Sequence, residues 1–379
     1  IVHFNNAGAS LMPSKVSDAV IDYLKQESHF GGYETAEKFA AQIQDTYKRL
    51  GSYLNCDSSE IALTDNATTA WQRAFLSVPF ESGDVILTTS TEYASNYIPF
   101  LQLKKKLAVD IRTIPNDRYG QVDLAALEDL MDDKVKLISI THVPTNGGLV
   151  NPVEEIGAIA KASGAWYLLD ACQSVGQMPI DVKAIGCDFL SATSRKFLRG
   201  PRGVGFLYAS AESTSHLEPM ILDLHGAQWE SKYSYTFRDD ARKYENWELN
   251  LAGVIGLGKA VAYLMDMGIE RIWHRIRYLS DYLRVRLSSI EQIQVQDLGV
   301  VKCGIVSFSG PFDAAYMKSR LQQIGINISV LHREHTLFDM QERNLGSMIR
   351  ASVHYFNTID EIDHLVDQIA LIMNELDKK

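Results

Sequence analysis

Short apolar runs separated by amphipathic stretches set the pattern of the first two-thirds of the chain. Val85-Ile86-Leu87-Thr88, Val109-Asp110-Ile111-Arg112-Thr113-Ile114, Leu137-Ile138-Ser139-Ile140 and Tyr167-Leu168-Leu169-Asp170 read as strands, and Val204-Gly205-Phe206-Leu207-Tyr208 as a fifth. Residues 124–131 and 152–163 carry helical periodicity; Asp123 precedes the first and Gly164 follows the second, residue types suited to a helix start and a helix end. Near-continuous apolar strands alternating with helices predict a mostly parallel sheet covered on both faces. Beyond residue 250 the texture changes. Helical periodicity runs from about 251 to 286 with a break at Gly268, strand-like runs follow at 300–308 and 348–353, and an amphipathic helix spans 360–376. The expectation is an α/β chain with a large domain over residues 1–255 and a smaller α+β domain over 256–379, the opening segment (to about residue 20) packing on the small domain.

Composition narrows the function classes. The 379 residues are 46% hydrophobic and 22% charged, as in a globular chain of two domains. A formal net charge of −10 leaves no basic footprint for nucleic acid. No apolar run reaches the length of a membrane span, and no signal-peptide pattern opens the chain, although residues 1–4 read as a trimmed terminus. Cys56, Cys172, Cys187 and Cys303 lie far apart without C-x-x-C spacing. That argues against a metal cage or a disulfide scaffold and fits a cytoplasmic setting.

The candidate chemistry centres on two residues. Asp170 ends an apolar strand, where functional groups of open α/β sheets collect and where an unpaired carboxylate is costly to bury. A protonated pyridine nitrogen would compensate it, as in pyridoxal phosphate (PLP) enzymes. Lys196, beside the second cation Arg195, has the surroundings that favour a neutral amine able to form a Schiff base. Either residue alone is more readily a turn cap or a solvated loop lysine. A nicotinamide-dependent dehydrogenase is disfavoured, since no G-x-G-x-x-G follows an early strand.

Together with their flanks these residues resemble the class V aminotransferase and cysteine desulfurase group of fold-type I PLP enzymes. The matching elements are Asp170-Ala171-Cys172-Gln173, Thr193-Ser194-Arg195-Lys196 and Gly200-Pro201-Arg202-Gly203-Val204-Gly205-Phe206-Leu207-Tyr208. Further matches are Phe4-Asn5-Asn6-Ala7-Gly8, Asn66-Ala67-Thr68-Thr69-Ala70, Asn151-Pro152-Val153 and Ile349-Arg350-Ala351-Ser352 with Asn357-Thr358, so the likeness covers nearly the whole chain. It implies a large domain with a mostly parallel seven-stranded sheet, a small α+β C-terminal domain, PLP as cofactor, a small amino acid as substrate and a homodimer with active sites at the interface.

The resemblance also assigns roles. Lys196 would carry the cofactor, Asp170 would pair with its ring nitrogen and Gln173 would meet its ring hydroxyl. Ala67, Thr68 and Thr69 would cradle the phosphate at a helix N-terminus, completed by Thr193 and Arg195. Arg350 would grip the substrate carboxylate bidentately, with Asn5, Ala7 and Gly8 near the same group. Tyr93 stands where family members stack a histidine on the ring, so the usual imidazole is missing. His142 at a strand end points either at the cofactor or into the fold, and Thr145 or Asn146 takes the place of a family asparagine.

Two departures bear on the reaction. Cysteine desulfurases carry a nucleophilic cysteine on a loop before the C-terminal arginine, yet residues 326–346 contain none. The family's cross-subunit Gly-Thr pair is replaced in Lys243-Tyr244-Glu245-Asn246-Trp247-Glu248-Leu249-Asn250, while residues 224–229 are expected near a dimer-related site. Two local stretches are similar to hercynylcysteine sulfoxide C–S lyases: His29-Phe30-Gly31-Gly32-Tyr33-Glu34-Thr35-Ala36, which makes Tyr33 a substrate-side candidate, and residues 192–205. Isopenicillin N epimerase-like proteins share the general pattern. The expected reaction is β-elimination from an S-substituted cysteine; a class V aminotransferase or an epimerase are the alternatives.

Overall fold

A computed structural model describes residues 1–376, in which two main sheets are accompanied by two two-stranded ones, Val2–His3 with Ile326–Asn327 and Ala227–Ser231 with Ser234–Phe237. The larger contains β1 (Ile61–Thr64), β2 (Val85–Thr89), β3 (Asp110–Ile114), β4 (Val135–Thr141), β5 (Trp166–Asp170), β6 (Phe189–Thr193) and β7 (Gly205–Ala209), in the order β1-β7-β6-β5-β4-β2-β3. Every pairing is parallel except those of β7, which runs antiparallel to both neighbours. The mostly parallel seven-stranded sheet expected from the sequence is therefore present. β1, β2, β6 and β7 are buried along their whole length and β4 and β5 at all but one residue, which is why such strands read as apolar runs and not as alternating ones. Strands β1 and β6 were not foreseen; Ile61-Ala62-Leu63-Thr64 and Phe189-Leu190-Ser191-Ala192-Thr193 are short, and each carries hydroxyls that blur the apolar signal.

The smaller sheet is antiparallel, with β8 (Gln294–Val295), β9 (Ile305–Ser309), β10 (Ser329–Leu331) and β11 (Met348–Ser352) in the order β8-β9-β11-β10. The strand expected at 300–308 begins only at Ile305. Upstream of it Lys302 makes a single bridge to Leu149 of the large domain. The long helical stretch is two helices, Leu251–Met267 and Ile269–Ser288, bent by 80° at Gly268, whose φ of 82° suits a residue without a Cβ. Among the described residues no single helix is long and apolar enough to cross a membrane. The helix Ile359–Leu376 covers the small sheet with Ile362, Leu365, Val366 and Ile369.

The chain begins in the territory where it ends. Val2–His3 pairs in parallel with Ile326–Asn327, Phe4 lies in the small domain's core, and the Phe4 carbonyl accepts from the Ser352 amide at 2.7 Å. A second tie is ionic. Arg284 on the Ile269–Ser288 helix donates through Nε to Asp297 at 2.8 Å and through Nη2 to the carbonyls of Cys303 and Ile305. Asp297, whose side chain is fully buried, accepts from the amides of Gly148 in the large domain and Ser307 on β9.

Removing one partner of such a pair strands the other charge in the interior. Arg284→Ala is expected to lower unfolding stability by about 3–5 kcal/mol in urea denaturation. An unchanged midpoint would show that water replaces the guanidinium.

Candidate active site

The carboxyl ends of β4, β5 and β6 converge on a cavity. Asp170, the last residue of β5, is 6% exposed, and its Oδ1 accepts from the Cys172 amide at 2.9 Å. Its Oδ2 accepts from the Asn96 side-chain amide at 2.9 Å. The other hydrogen of that amide goes to Glu92 Oε1, also at 2.9 Å. Glu92 additionally accepts from Thr141, Thr88 and the Tyr93 amide, and burial pushes its pKa up to about 7. Two buried carboxylates thus share one amide, which fixes the orientation of the Asp170 carboxylate.

Lys196 sits on the same cavity, where desolvation lowers its pKa and Arg195 adds to the effect. Its loop is held from several sides. The Ser194 amide donates to Val204, the Gly200 amide returns to Ser194, and the Arg195 carbonyl accepts from Ser10. Beneath it His354, buried and held down to about 3, shares a hydrogen bond of 2.9 Å with the Phe197 carbonyl. The Ala67–Ser77 helix begins at the cavity edge with Asn66 as its cap, and Ala67 and Thr68 face inward. A Cβ on Gly205 would lie 2.6 Å from the Asn66 carbonyl carbon and 2.8 Å from the Ala67 nitrogen, so β7 can support this helix start only with glycine.

The sequence-expected residues divide into groups. Tyr93, Asp170, Gln173, Lys196 and Thr145 line the inner cavity with Ala67 and Thr68. Thr145, not Asn146, faces the site, since Asn146 turns away to Asp339. Arg350, Asn5 and Ala7 line an outer cavity that adjoins the first through Tyr93, Thr145 and Lys196. Arg195 also opens onto this outer cavity and donates to the Gly8 carbonyl. The Thr69 amide is taken by the Asn66 cap at 2.9 Å, and Thr193 is buried with its hydroxyl toward the Val204 carbonyl. His142 is buried outside the cavity lining, its pKa pushed down to about 4 and its Nδ1 without a partner among the described residues. Tyr33, on the Gly32–Lys38 helix, is 74% exposed and lines neither cavity. Cys172 lies by the inner cavity, as its place in the strand-end motif implies, while Glu92, Asn96 and Thr141 went unnoticed as site residues; the i,i+4 spacing of Glu92 and Asn96 was the available signal.

These residues fit PLP. The inner cavity holds a buried acid without a cationic partner, an amine on a fixed loop and a helix start with free amides, and the buried Gln173 Oε1 has no partner among the described residues. Arg350 is equally prepared for a carboxylate: its Nη1 donates to Thr145 and its Nε is buried and unpaired.

Glu92 gives the site a pH signature. Its folded pKa lies above that of an unfolded glutamate, so the folded chain holds the extra proton and loses stability as pH rises from about 4.5 to 7. Relative to the unaltered cofactor-free chain, Glu92→Gln is expected to gain about 2–3 kcal/mol between pH 5 and pH 8 in urea titrations. The buried histidines titrate in both proteins and cancel; a pH-independent difference would contradict the assignment.

Comparison with known proteins accords with this geometry. The family model of class-V aminotransferases matches residues 2–365. A probable cysteine desulfurase of Methanothermobacter thermautotrophicus is 32% identical over 371 residues, covering 96% of this chain and 92% of its own. The apo structure of a cysteine desulfurase from Thermococcus onnurineus NA1 superposes with a TM-score of 0.91 at 26% identity, covering 99% of this chain and 94% of that one. A complex of the cystine C–S lyase C-DES with its product cysteine persulfide gives a TM-score of 0.87 over 97% of each chain, a likeness of fold at 22% identity. By the extent of the family match and the identity to its relatives, the chain belongs to the class-V aminotransferase family.

Proposed function

We propose that this protein is a PLP-dependent C–S lyase that eliminates the sulfur substituent of an S-substituted cysteine, releasing pyruvate and ammonia. The observation that carries the reading is the state of the thiols. Residues 326–346, which border the substrate cavity through Ser329, Val330, Leu331 and His335, contain no cysteine. Of the four cysteines, only Cys172 lines the inner cavity, and burial beside Asp170 pushes its thiol up to about 12. Burial likewise raises Cys56, Cys187 and Cys303. No thiolate stands ready to attack a substrate sulfur. A leaving group that departs with the Cβ–S electron pair needs none. Relatives are named as cysteine desulfurases; the loop cysteine that the resemblance implies for such enzymes is missing here, which supports a different reaction for this chain.

When bound, PLP supplies the electron sink that stabilises negative charge at the substrate Cα. The chain's residues do the rest. Asp170, oriented by Asn96, would keep the ring nitrogen protonated. Arg350 would hold the α-carboxylate through the face its Nε leaves free, and Tyr93 at the junction of the two cavities would cover the ring. The Lys196 amine would take the Cα proton at Nζ, its lowered pKa leaving more of it neutral near pH 7. No protein acid is needed for a sulfenate or thiolate, which leaves as an anion. The resemblance to hercynylcysteine sulfoxide lyases and the dimeric assembly belong to this same proposal. The exposed Tyr33 could reach a substrate only across a subunit interface.

Holoprotein mixed with S-ethylcysteine sulfoxide, without a keto-acid acceptor, is expected to form pyruvate over many turnovers. Conversion of the cofactor to its amine form in one equivalent, with no pyruvate, would make it an aminotransferase; loss of optical rotation alone would make it an epimerase. Lys196→Ala is expected to lower pyruvate formation by at least about 10²-fold. Arg350→Lys is expected to lower kcat/KM by about 10- to 100-fold, because an ammonium cannot reproduce the planar fork.

A further inference from the structure

The outer cavity, about 330 Å³, carries more positive charge than one amino acid can use. Arg195, Arg202 and Arg350 line it together with Lys196 and His335, and its lining includes no aspartate or glutamate. Arg195 lies close enough to both Arg202 and Arg350 for their charges to oppose one another. Arg350 is 6% exposed and its Nε is unpaired, a buried cation waiting for an anion.

An ordinary α-amino acid brings one carboxylate, which Arg350 takes. Assigning Arg195 to the cofactor's phosphate, as the sequence resemblance implies, still leaves Arg202. That side chain, exposed on the cavity wall, has no hydrogen bond or ion pair among the described residues. It stands on the loop that follows Lys196, and His335, from the segment Arg333–His335 of the small domain, faces the same space from the other side. His335 is only partly exposed; its ring meets that of His332 edge-on at 5.9 Å, and its nitrogens make no hydrogen bond among the described residues. A cavity walled by three guanidinium groups, with no acid in its lining, is complementary to a second anion.

We propose that the amino acid accepted here carries a second acidic group at the far end of its side chain, bound between Arg202 and His335. This rests on the reading of the outer cavity as the substrate site and narrows the substrate class from any S-substituted cysteine to one whose substituent ends in a carboxylate or a sulfonate. Arg202 supplies the charge and the planar fork, and His335 supplies a donor from the domain that closes the cavity.

The test compares S-(2-carboxyethyl)cysteine with its near-isosteric neutral amide, S-(2-carbamoylethyl)cysteine, and with S-(2-sulfoethyl)cysteine. The acids are expected to exceed the amide in kcat/KM by about 10- to 100-fold, the range of a charge-assisted hydrogen bond. In Arg202→Gln that ratio is expected to fall below about 3, and His335→Gln to reduce it in the same direction. A preference for only one of the two acids assigns the group to carboxylate or sulfonate. A ratio near one in the unaltered protein, or a ratio that Arg202→Gln leaves intact, overturns the proposal. Should none of the three yield pyruvate, the lyase reading fails while the present one is still decided by binding. Glutarate is then expected to raise the thermal midpoint of the holoprotein more than its half-amide does, through Arg202; equal shifts would sink it.

Discussion

An amide held between two buried carboxylates is the interaction on which the site depends. Asn96 has two amide hydrogens and gives one to Asp170 and one to Glu92. Asp170 cannot turn without breaking a bond that burial makes expensive to lose. Glu92 in turn is fixed by hydroxyls from β2 and β4 and by the amide that opens the helix carrying Asn96. The sheet thereby dictates the direction of the one acid that lines the inner cavity.

Across the cavity the problem has the opposite sign. Lys196, Arg195 and Arg350 are brought together on a short loop and a β-strand, the two arginines meeting a carbonyl and a hydroxyl in place of carboxylates. The folded chain accepts the cost of uncompensated charge on both walls, negative on the floor and positive at the mouth. Binding energy at such a site is drawn largely from charge already desolvated during folding.

Much of this was legible because the strongest signals are those of steric and electrostatic necessity. The buried parallel strands declared themselves as apolar runs, and Asp170, Lys196, Gly205 and Arg350 sit where only those residue types suffice. Less legible were interactions that join distant parts of the chain. Nothing local marks Arg202 and His335 as neighbours across one cavity, or Asn96 as the bridge between two acids, since each is unremarkable within its own helix or loop. Lys302 and its flanks read as strand because they are apolar, yet the chain bends there to reach Leu149. Thr193 and Thr69 match the motif, yet in the folded chain the Thr193 hydroxyl turns to the Val204 carbonyl and the Thr69 amide and hydroxyl turn to the Asn66 side chain.

The parallel pairing of Val2–His3 with Ile326–Asn327 has a consequence for how the molecule comes into being. The opening strand has no partner until more than 300 further residues have been made, roughly half a minute at ordinary rates of translation. During that interval Phe4 has no core to enter, and the segment from Asn5 to Ser10, which later props both the lysine loop and the Arg350 strand, has nothing to prop. The large sheet can assemble on the ribosome, but the active site cannot. A nascent chain stalled before residue 326 would hold the residues of the inner cavity, which end at Lys196, without the Arg350 wall of the outer one.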